Sequence, residues 1–281
     1  MKTIDLHVHS CISDGTLTPE ELVRLALDTG LSAFALTDHD TTDGIRRATA
    51  AAPAGLEVIP GIEFSTRWQH RDIHILGYYM DYLSTGFQDT LHAFVDTRNT
   101  RNERMCQRLQ EHAGFPITVE KLQERWPDAV ITRAHMAAWL VEQGLTPSRT
   151  IAFDKYLGDH ASCFVPREQI TPADAIRLIR QYRGIPVLAH PLLYSLSRKQ
   201  LDGLVAELAD AGLMGIEAVY VMNRGSDTAA MRLLAQKYSL LITGGSDFHG
   251  RNKPDIAMGT GVRSNLSIPY SLLDELKAAR G

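Results

Sequence analysis

The sequence predicts an α/β chain, a parallel barrel of about seven strands with an all-helical segment inserted into it. Three observations carry that expectation. Short apolar runs alternate with capped helical stretches at both ends of the chain. No convincing strand lies between about Asp81 and Phe164. Histidines or carboxylates close most of the apolar runs, as functional residues do at the mouth of a barrel. The expected division is a barrel made from residues 1–80 and 165–281 and a helical cap made from residues 81–164.

The first strand spans Ile4 to Ser10. Ile4, Leu6 and Val8 alternate with Asp5, His7 and His9, so a period of two puts both imidazoles on one face, roughly 7 Å apart at their Cα atoms. Thr18-Pro19-Glu20-Glu21 opens a helix, with Thr18 as N-cap, Pro19 at the first helical position and Glu21 completing a capping box. That helix stops near Gly30. Ser32 to Thr37 is a strand that delivers Asp38-His39-Asp40, and an alanine-rich helix follows from about Gly44 to Ala52. Leu56 to Phe64 is the third strand, ending near Glu63. Asp72 to Tyr78 is the fourth, and it carries His74.

The inserted segment reads as one long helix from about Gly86 to Ala113 and shorter ones near Val119–Arg125, Arg133–Gln143 and Arg149–Leu157. Thr118, Thr132 and Ser148 serve as caps. The alternation then resumes. A helix opens at Thr171-Pro172 and runs to Arg183, the strand Ile185 to Ala189 ends at His190, and a helix covers about Arg198 to Ala211. The strand Gly215 to Tyr220, a helix from about Asp227 to Tyr238, the strand Leu240 to Thr243 and a last helix from Ser271 to Arg280 complete the chain. Gly244-Gly245 allows close approach before Asp247 and His249.

The 281 residues suffice for one large barrel, and 44% hydrophobic with 22% charged residues fits a packed globular chain. A net charge of −4 provides no general field for nucleic acid. The three cysteines, Cys11, Cys106 and Cys163, are too scattered for a disulfide framework, and Cys11 reads as a small buried thiol beside the His motif. A strand beginning at about the third residue leaves no room for a signal peptide, and no apolar run approaches a membrane span. The expected location is the cytoplasm. No stable protein partner is implied.

A lone His-x-His would read as two solvated side chains. Here Thr37-Asp38-His39-Asp40, Glu63, His74, Ala189-His190-Pro191 and Ser246-Asp247-Phe248-His249 also end apolar runs, and one polynuclear metal site would account for them all. Imidazole and carboxylate ligands together suit Mn²⁺, Fe²⁺ or Zn²⁺ better than Ca²⁺ or Mg²⁺ alone. Mn²⁺ is the expected ion. Asp5, Asp38 and Asp40 are candidates for orienting the imidazoles from behind. In the long inserted helix, Leu91, Phe94, Val95, Met105 and Leu109 form an apolar stripe that Arg98 and Asn102 interrupt. An unpaired charge is costly in a core, so the interruption suggests a helix crossing an anionic pocket. Snorkelling to solvent is the alternative for such an arginine. Trp68, Trp126 and Trp139 read as packing residues, and His70, His92, His112 and His160 as surface or locally satisfied ones.

These motifs resemble those of the PHP (polymerase and histidinol phosphatase) family, and all nine expected ligand positions carry a suitable residue. The resemblance implies a distorted seven-stranded (β/α) barrel that hydrolyses phosphoesters at a centre of two or three divalent metals. One metal would take His7, His9, Glu63 and Asp247. A second would take Glu63, His74 and His190, and a third Asp14, His39 and His249. Catalysis would rest on His7, His9, Glu63, His190 and Asp247, with a metal-bridging hydroxide attacking phosphorus. The helical insert, Arg133-Ala134-His135 and Val165-Pro166-Arg167-Glu168 are similar to the subgroup that includes 3′,5′-nucleotide bisphosphate phosphatases, some relatives of which degrade short RNA from its 5′ end. Arg98, Asn99, Thr100, Arg101, Asn102, Arg133, Ala134 and His135 would then bind the nucleotide substrate. A histidinol-phosphate or other small phosphomonoester phosphatase, an RNA exonuclease, and a non-catalytic metal-stabilised binding module are the other readings.

Overall fold

The computed structural model describes residues 2–69, 71–159, 161–166 and 170–280, and eight strands and ten α-helices are formed among them. The Arg167 and Glu168 of the subgroup motif, and His70 and His160, lie outside the described residues. In chain order the first half holds β1 (Thr3–Val8), α1 (Pro19–Asp28), β2 (Leu31–Leu36), α2 (Asp43–Ala51), β3 (Glu57–Trp68) and β4 (Arg71–Tyr78). The insert holds α3 (Thr85–Ala113), α4 (Val119–Arg125), α5 (Arg133–Glu142) and α6 (Arg149–Ala152), the last running into a π-helical turn at Phe153–Leu157. The remainder holds α7 (Pro172–Gln181), β5 (Ile185–Leu188), α8 (Arg198–Asp210), β6 (Gly215–Tyr220), α9 (Asp227–Lys237), β7 (Leu241–Gly245), β8 (Ile268–Pro269) and α10 (Ser271–Ala279).

The sheet order is β7-β6-β5-β4-β3-β2-β1-β8. It nearly closes into a barrel, because Val8 bridges to Phe248 just beyond β7, with His9 N donating to Phe248 O at 2.9 Å. The seven expected strands are present, but the expected all-parallel order is not. β4 runs antiparallel to both β3 and β5. Trp68 pairs with Arg71, so only two residues join β3 to β4, whereas a parallel connection needs a dozen or more. The eighth strand pairs Ile268 and Pro269 with Ile4 and Thr3, and two residues are too few to show a period.

Local chemistry explains the helix starts. The Thr18 hydroxyl accepts from Glu21 N and the Glu21 carboxylate accepts from Thr18 N, the reciprocal box expected from the sequence. Gly114 ends α3 at φ 68°, a left-handed cap that costs glycine little.

The chain leaves β4 at Tyr78, opposite Gly61, two residues past the level of Glu63 and away from the hairpin end at Trp68 and Arg71. At about 1.5 Å per residue, the 29-residue α3 is long enough to carry it back to the mouth. This resolves the interrupted stripe. Phe87 and Leu91 pack into the barrel's outer core beside Ile179 and Phe64, burial worth about 1.5–3 kcal/mol each. Met105 and Leu109 pack instead into the insert's own core with Ile117, Leu122, Met136 and Leu140. Arg98, Arg101 and Asn102 occupy the stretch between the two cores.

Candidate metal centre

The simple alternation expected of β1 does not hold. The register with β2 shifts between Asp5 and Val8, so one extra residue is accommodated and the side-chain phase changes. Ile4 and Leu6 pack in one cluster, while Val8 packs in another against α1 and α2. His7 and His9 nevertheless converge, with their Nε2 atoms 3.1 Å apart and both side chains fully buried. The wall beside them is tight. A Cβ on Gly245 would stand 2.1 Å from His7 Cβ, so only glycine fits at the end of β7.

Glu63 is the hub. Its Oε1 lies 2.9 Å from both His74 Nδ1 and His190 Nε2. Its Oε2 lies 3.3 Å from His7 Nε2, 3.1 Å from His9 Nε2 and 3.3 Å from His39 Nδ1. Burial opposes its charge, but the imidazoles of His39, His7 and His74 outweigh burial and hold the carboxyl well below the usual range. His74 reaches this point from the middle of an antiparallel strand, opposite Ser65, and not from a strand end.

Asp14 and Asp247 complete the acidic set. Asp247 Oδ1 is 3.7 Å from His7 Nε2 and 3.6 Å from His9 Nε2, while Oδ2 accepts from Tyr220 Oη at 2.8 Å and from Lys253 Nζ at 2.6 Å. Asp14 Oδ1 is 3.1 Å from His249 Nε2. Both carboxyls are held well below their usual range against the effect of burial, Asp247 by Lys253 and His249, and Asp14 by His249 and His39. Burial pulls His39 down to about 4, so at neutral pH the ring is uncharged and one of its nitrogens carries a free lone pair.

Among the described residues, the donor atoms of His9, Asp14, His39 and His249 lie within 4.8 Å of one another. The same holds for His7, His9 and Glu63, and for His39, Glu63 and His74. The nine residues the sequence named thus come together, but His9 and His39 are shared differently from the partition implied by resemblance. The donor set fits divalent metals. Two Nε2 atoms face each other at 3.1 Å, and the buried Asp14 Oδ1 and His39 Nδ1 face His249 and Glu63 without a well-directed hydrogen bond, as ligands aimed at a common ion do.

The aspartates expected to orient the imidazoles act through other groups: among the described residues neither Asp5 nor Asp38 bonds a ring directly. Asp5 accepts from the backbone nitrogens of Ser246 and Gly259 and ties the loop after β7 to β1. Asp38 holds Ser10 and Ser13, and Ser13 Oγ is 3.5 Å from His9 Nδ1. Asp40 pairs with Arg98 and accepts from Ser65 N. Outside the nine clustered residues, a carboxylate that does touch an imidazole is Glu217, 3.0 Å from His7 Nδ1. Sequence reasoning passed over it, although an acid inside the apolar run Gly215-Ile216-Glu217-Ala218-Val219 was a usable signal. Cys11 is half-buried and its thiol is pushed up by burial, away from nucleophilic character.

A cleft of about 230 Å³ opens over His39, His74 and Asp14. Arg98, Arg101, Arg133 and Ala134 of the expected substrate residues line it, and so does Arg67, which the sequence reading did not name. Arg67 and Arg133 share Asp72 and Asp159 in a four-member ion network joining barrel to insert. Phe153 and Phe164 add aromatic surface. The other named residues do not line the cleft. Asn102 is buried and donates to Ile131 O, Thr100 is exposed and donates back to Asp96 O, and Asn99 is half-buried on α3.

His135 is buried in the insert, where its Nδ1 accepts from Thr132 N as the third residue of a capping box. Burial pulls its imidazole down to about 4. Between about pH 6.5 and 4 the unfolded chain therefore binds a proton that the fold refuses, so stability falls as pH falls through that window, by up to about 3 kcal/mol. Glutamine keeps the box without titrating. His135→Gln should lose less stability than wild type between pH 7 and 4.5 in urea unfolding followed by tryptophan fluorescence. Parallel losses in the two proteins would contradict this.

The PHP domain profile matches residues 5–147. The 5'-3' exoribonuclease Rnm of Escherichia coli is 36% identical over 248 residues, spanning 87% of this chain and 84% of that protein. The 3',5'-nucleoside bisphosphate phosphatase of Chromobacterium violaceum is 33% identical over 252 residues, spanning 89% of this chain and 88% of that one. Among solved structures, a Bifidobacterium adolescentis protein provisionally described as a metal-dependent phosphoesterase has a TM-score of 0.84 at 30% identity, covering 100% of this chain and 96% of that chain.

Proposed function

This chain belongs to the PHP domain family, and on that premise we propose that it is a metal-dependent phosphomonoesterase, which removes the 3′-phosphate of a nucleoside 3′,5′-bisphosphate and leaves the 5′-monophosphate. The observation that carries this reading is the layout of the cleft. Its floor presents His39, His74 and Asp14 of the clustered ligands, and its walls present arginines and two phenylalanines that hydrolysis itself does not require. Arginine grips phosphate through parallel donors, and an aromatic face suits a nucleobase.

His7, His9, Asp14, His39, Glu63, His74, His190, Asp247 and His249 would hold the ions, with Mn²⁺ the preferred occupant. Divalent metals bound there supply Lewis-acid polarisation of the phosphoryl group and a water acidified towards neutrality. The chain's own residues do the rest. Arg98 is fixed by Asp40, next to the ligand His39, and so couples the substrate wall to the floor. Arg101 would bind the phosphate that is not cleaved. Phe153 and Phe164 would exclude water beside the base. In the overall reaction water adds to phosphorus, the P–O3′ bond breaks and the ribose 3′-oxygen leaves with a proton.

The Escherichia coli relative supports a second reading, 5′-to-3′ removal of nucleotides from short RNA. One screen separates the two. Phosphate and nucleotide release are followed for 3′,5′-bisphosphates, short RNA, histidinol phosphate and aryl phosphates with Mn²⁺ present. The proposal expects the bisphosphate to be turned over at least about tenfold more efficiently than the others, an advantage of the size one lost charge-assisted contact would remove. Faster release of nucleotides from RNA would transfer the assignment to the second reading.

A further inference from the structure

Glu217 has no solvent exposure and sits between Ile216 and Ala218 in β6. A carboxylate in such a place is costly unless both oxygens are engaged. Here both are. Oε1 lies 3.0 Å from His7 Nδ1, and Oε2 accepts from the backbone nitrogen of His190 at 2.8 Å. His190 has φ 25° and ψ 58°, a conformation that L-residues rarely adopt and that needs a fixed restraint. The missing Cβ of Gly245 leaves room for the first contact, since that atom would lie 2.8 Å from Glu217 Oε1. One side chain therefore restrains two histidines whose Nε2 atoms meet Glu63 on different oxygens.

We propose that Glu217 is the positioning residue of the centre. Its Oε1 keeps the His7 proton on Nδ1, which leaves Nε2 free to ligate, and its Oε2 pins the backbone that presents His190. The proposal rests on the reading that the cluster binds metal. It depends on charge chemistry and not on shape, because both partners of Glu217 are donors. Glutamine has the same outline but only one acceptor oxygen. Its amide would either face the His190 N–H with a second donor or turn the His7 ring to the tautomer whose Nε2 carries the proton. Loss of a partner that orients a metal-bound imidazole weakens metal binding by roughly ten- to a hundredfold.

The test titrates Zn²⁺, a diamagnetic probe, into chelator-stripped wild type and Glu217→Gln by calorimetry, with circular dichroism confirming the fold of each. The expected result is full binding by wild type and binding about ten- to a hundredfold weaker in the variant. Equal affinities in two folded proteins would overturn the proposal while leaving the metal reading intact. Absence of Zn²⁺ binding by wild type would overturn the metal reading, and the proposal with it. A second measurement needs no variant. In ¹⁵N-histidine spectra of the Zn²⁺-loaded wild type, His7 should retain its proton at Nδ1 and show a metal-shifted Nε2. The opposite assignment would overturn the proposal even if Glu217→Gln failed to fold.

Discussion

Glu63→Ala should strip the centre of metal and lower phosphate release by at least about a thousandfold. Five imidazoles lie within 3.3 Å of the two Glu63 oxygens, so this one carboxylate joins more than half of the cluster directly. Metal-assisted stabilisation of a phosphoryl transition state is worth several kcal/mol, and each 1.36 kcal/mol is a factor of ten. Alanine also leaves those imidazoles facing one another without the carboxylate that holds them in register. Metal content by elemental analysis and phosphate release at saturating Mn²⁺ check the expectation together. Near-normal turnover in the variant would remove the proposed mechanism, because Glu63 would then be neither a bridging ligand nor an organiser.

Arg101→Ala should lower kcat/KM for a 3′,5′-bisphosphate by about tenfold to a hundredfold and leave an aryl phosphate nearly untouched. The guanidinium lines the cleft from α3, where its NH1 is 3.5 Å from Met105 Sδ. A lost hydrogen bond to a charged group costs about 1.5–3 kcal/mol, which gives that range of rates. An aryl phosphate has no second phosphate to lose. Metal content should be unchanged. Arg133→Ala should also weaken bisphosphate turnover, but by a mixed effect, because Asp72 and Asp159 would lose a cation that pairs with both and would repel an anionic substrate. Equal losses on both substrates for Arg101→Ala would mean that this side chain serves the reacting phosphate or the fold.

The barrel and the candidate ligands clustered in it were legible for a simple reason. Chemistry-bearing residues at the ends of apolar runs leave a signal in the linear sequence, and His7, His9, Glu63, His190, Asp247 and His249 all sit that way. What was not legible depends on pairing. The register shift in β1 and the reversed β4 are properties of two strands together, so alternation within one strand misassigned Asp5 and hid the antiparallel hairpin. Arg98 and Arg101, three residues apart, did mark the cleft, but Asn99 and Thr100 between them do not line it, since a helix presents only every third or fourth residue to one side. Arg67, Phe153 and Phe164 lie far apart in the chain with no period to link them, and Glu217 stands inside an apolar run and not at its end.

Elemental analysis of protein purified without chelator tests the central claim most directly. Nine ligand-type side chains drawn into one cluster, seven of them buried, should hold at least two transition-metal ions per chain. Fewer than one ion per chain, with no uptake on addition of Mn²⁺ or Zn²⁺, would contradict it.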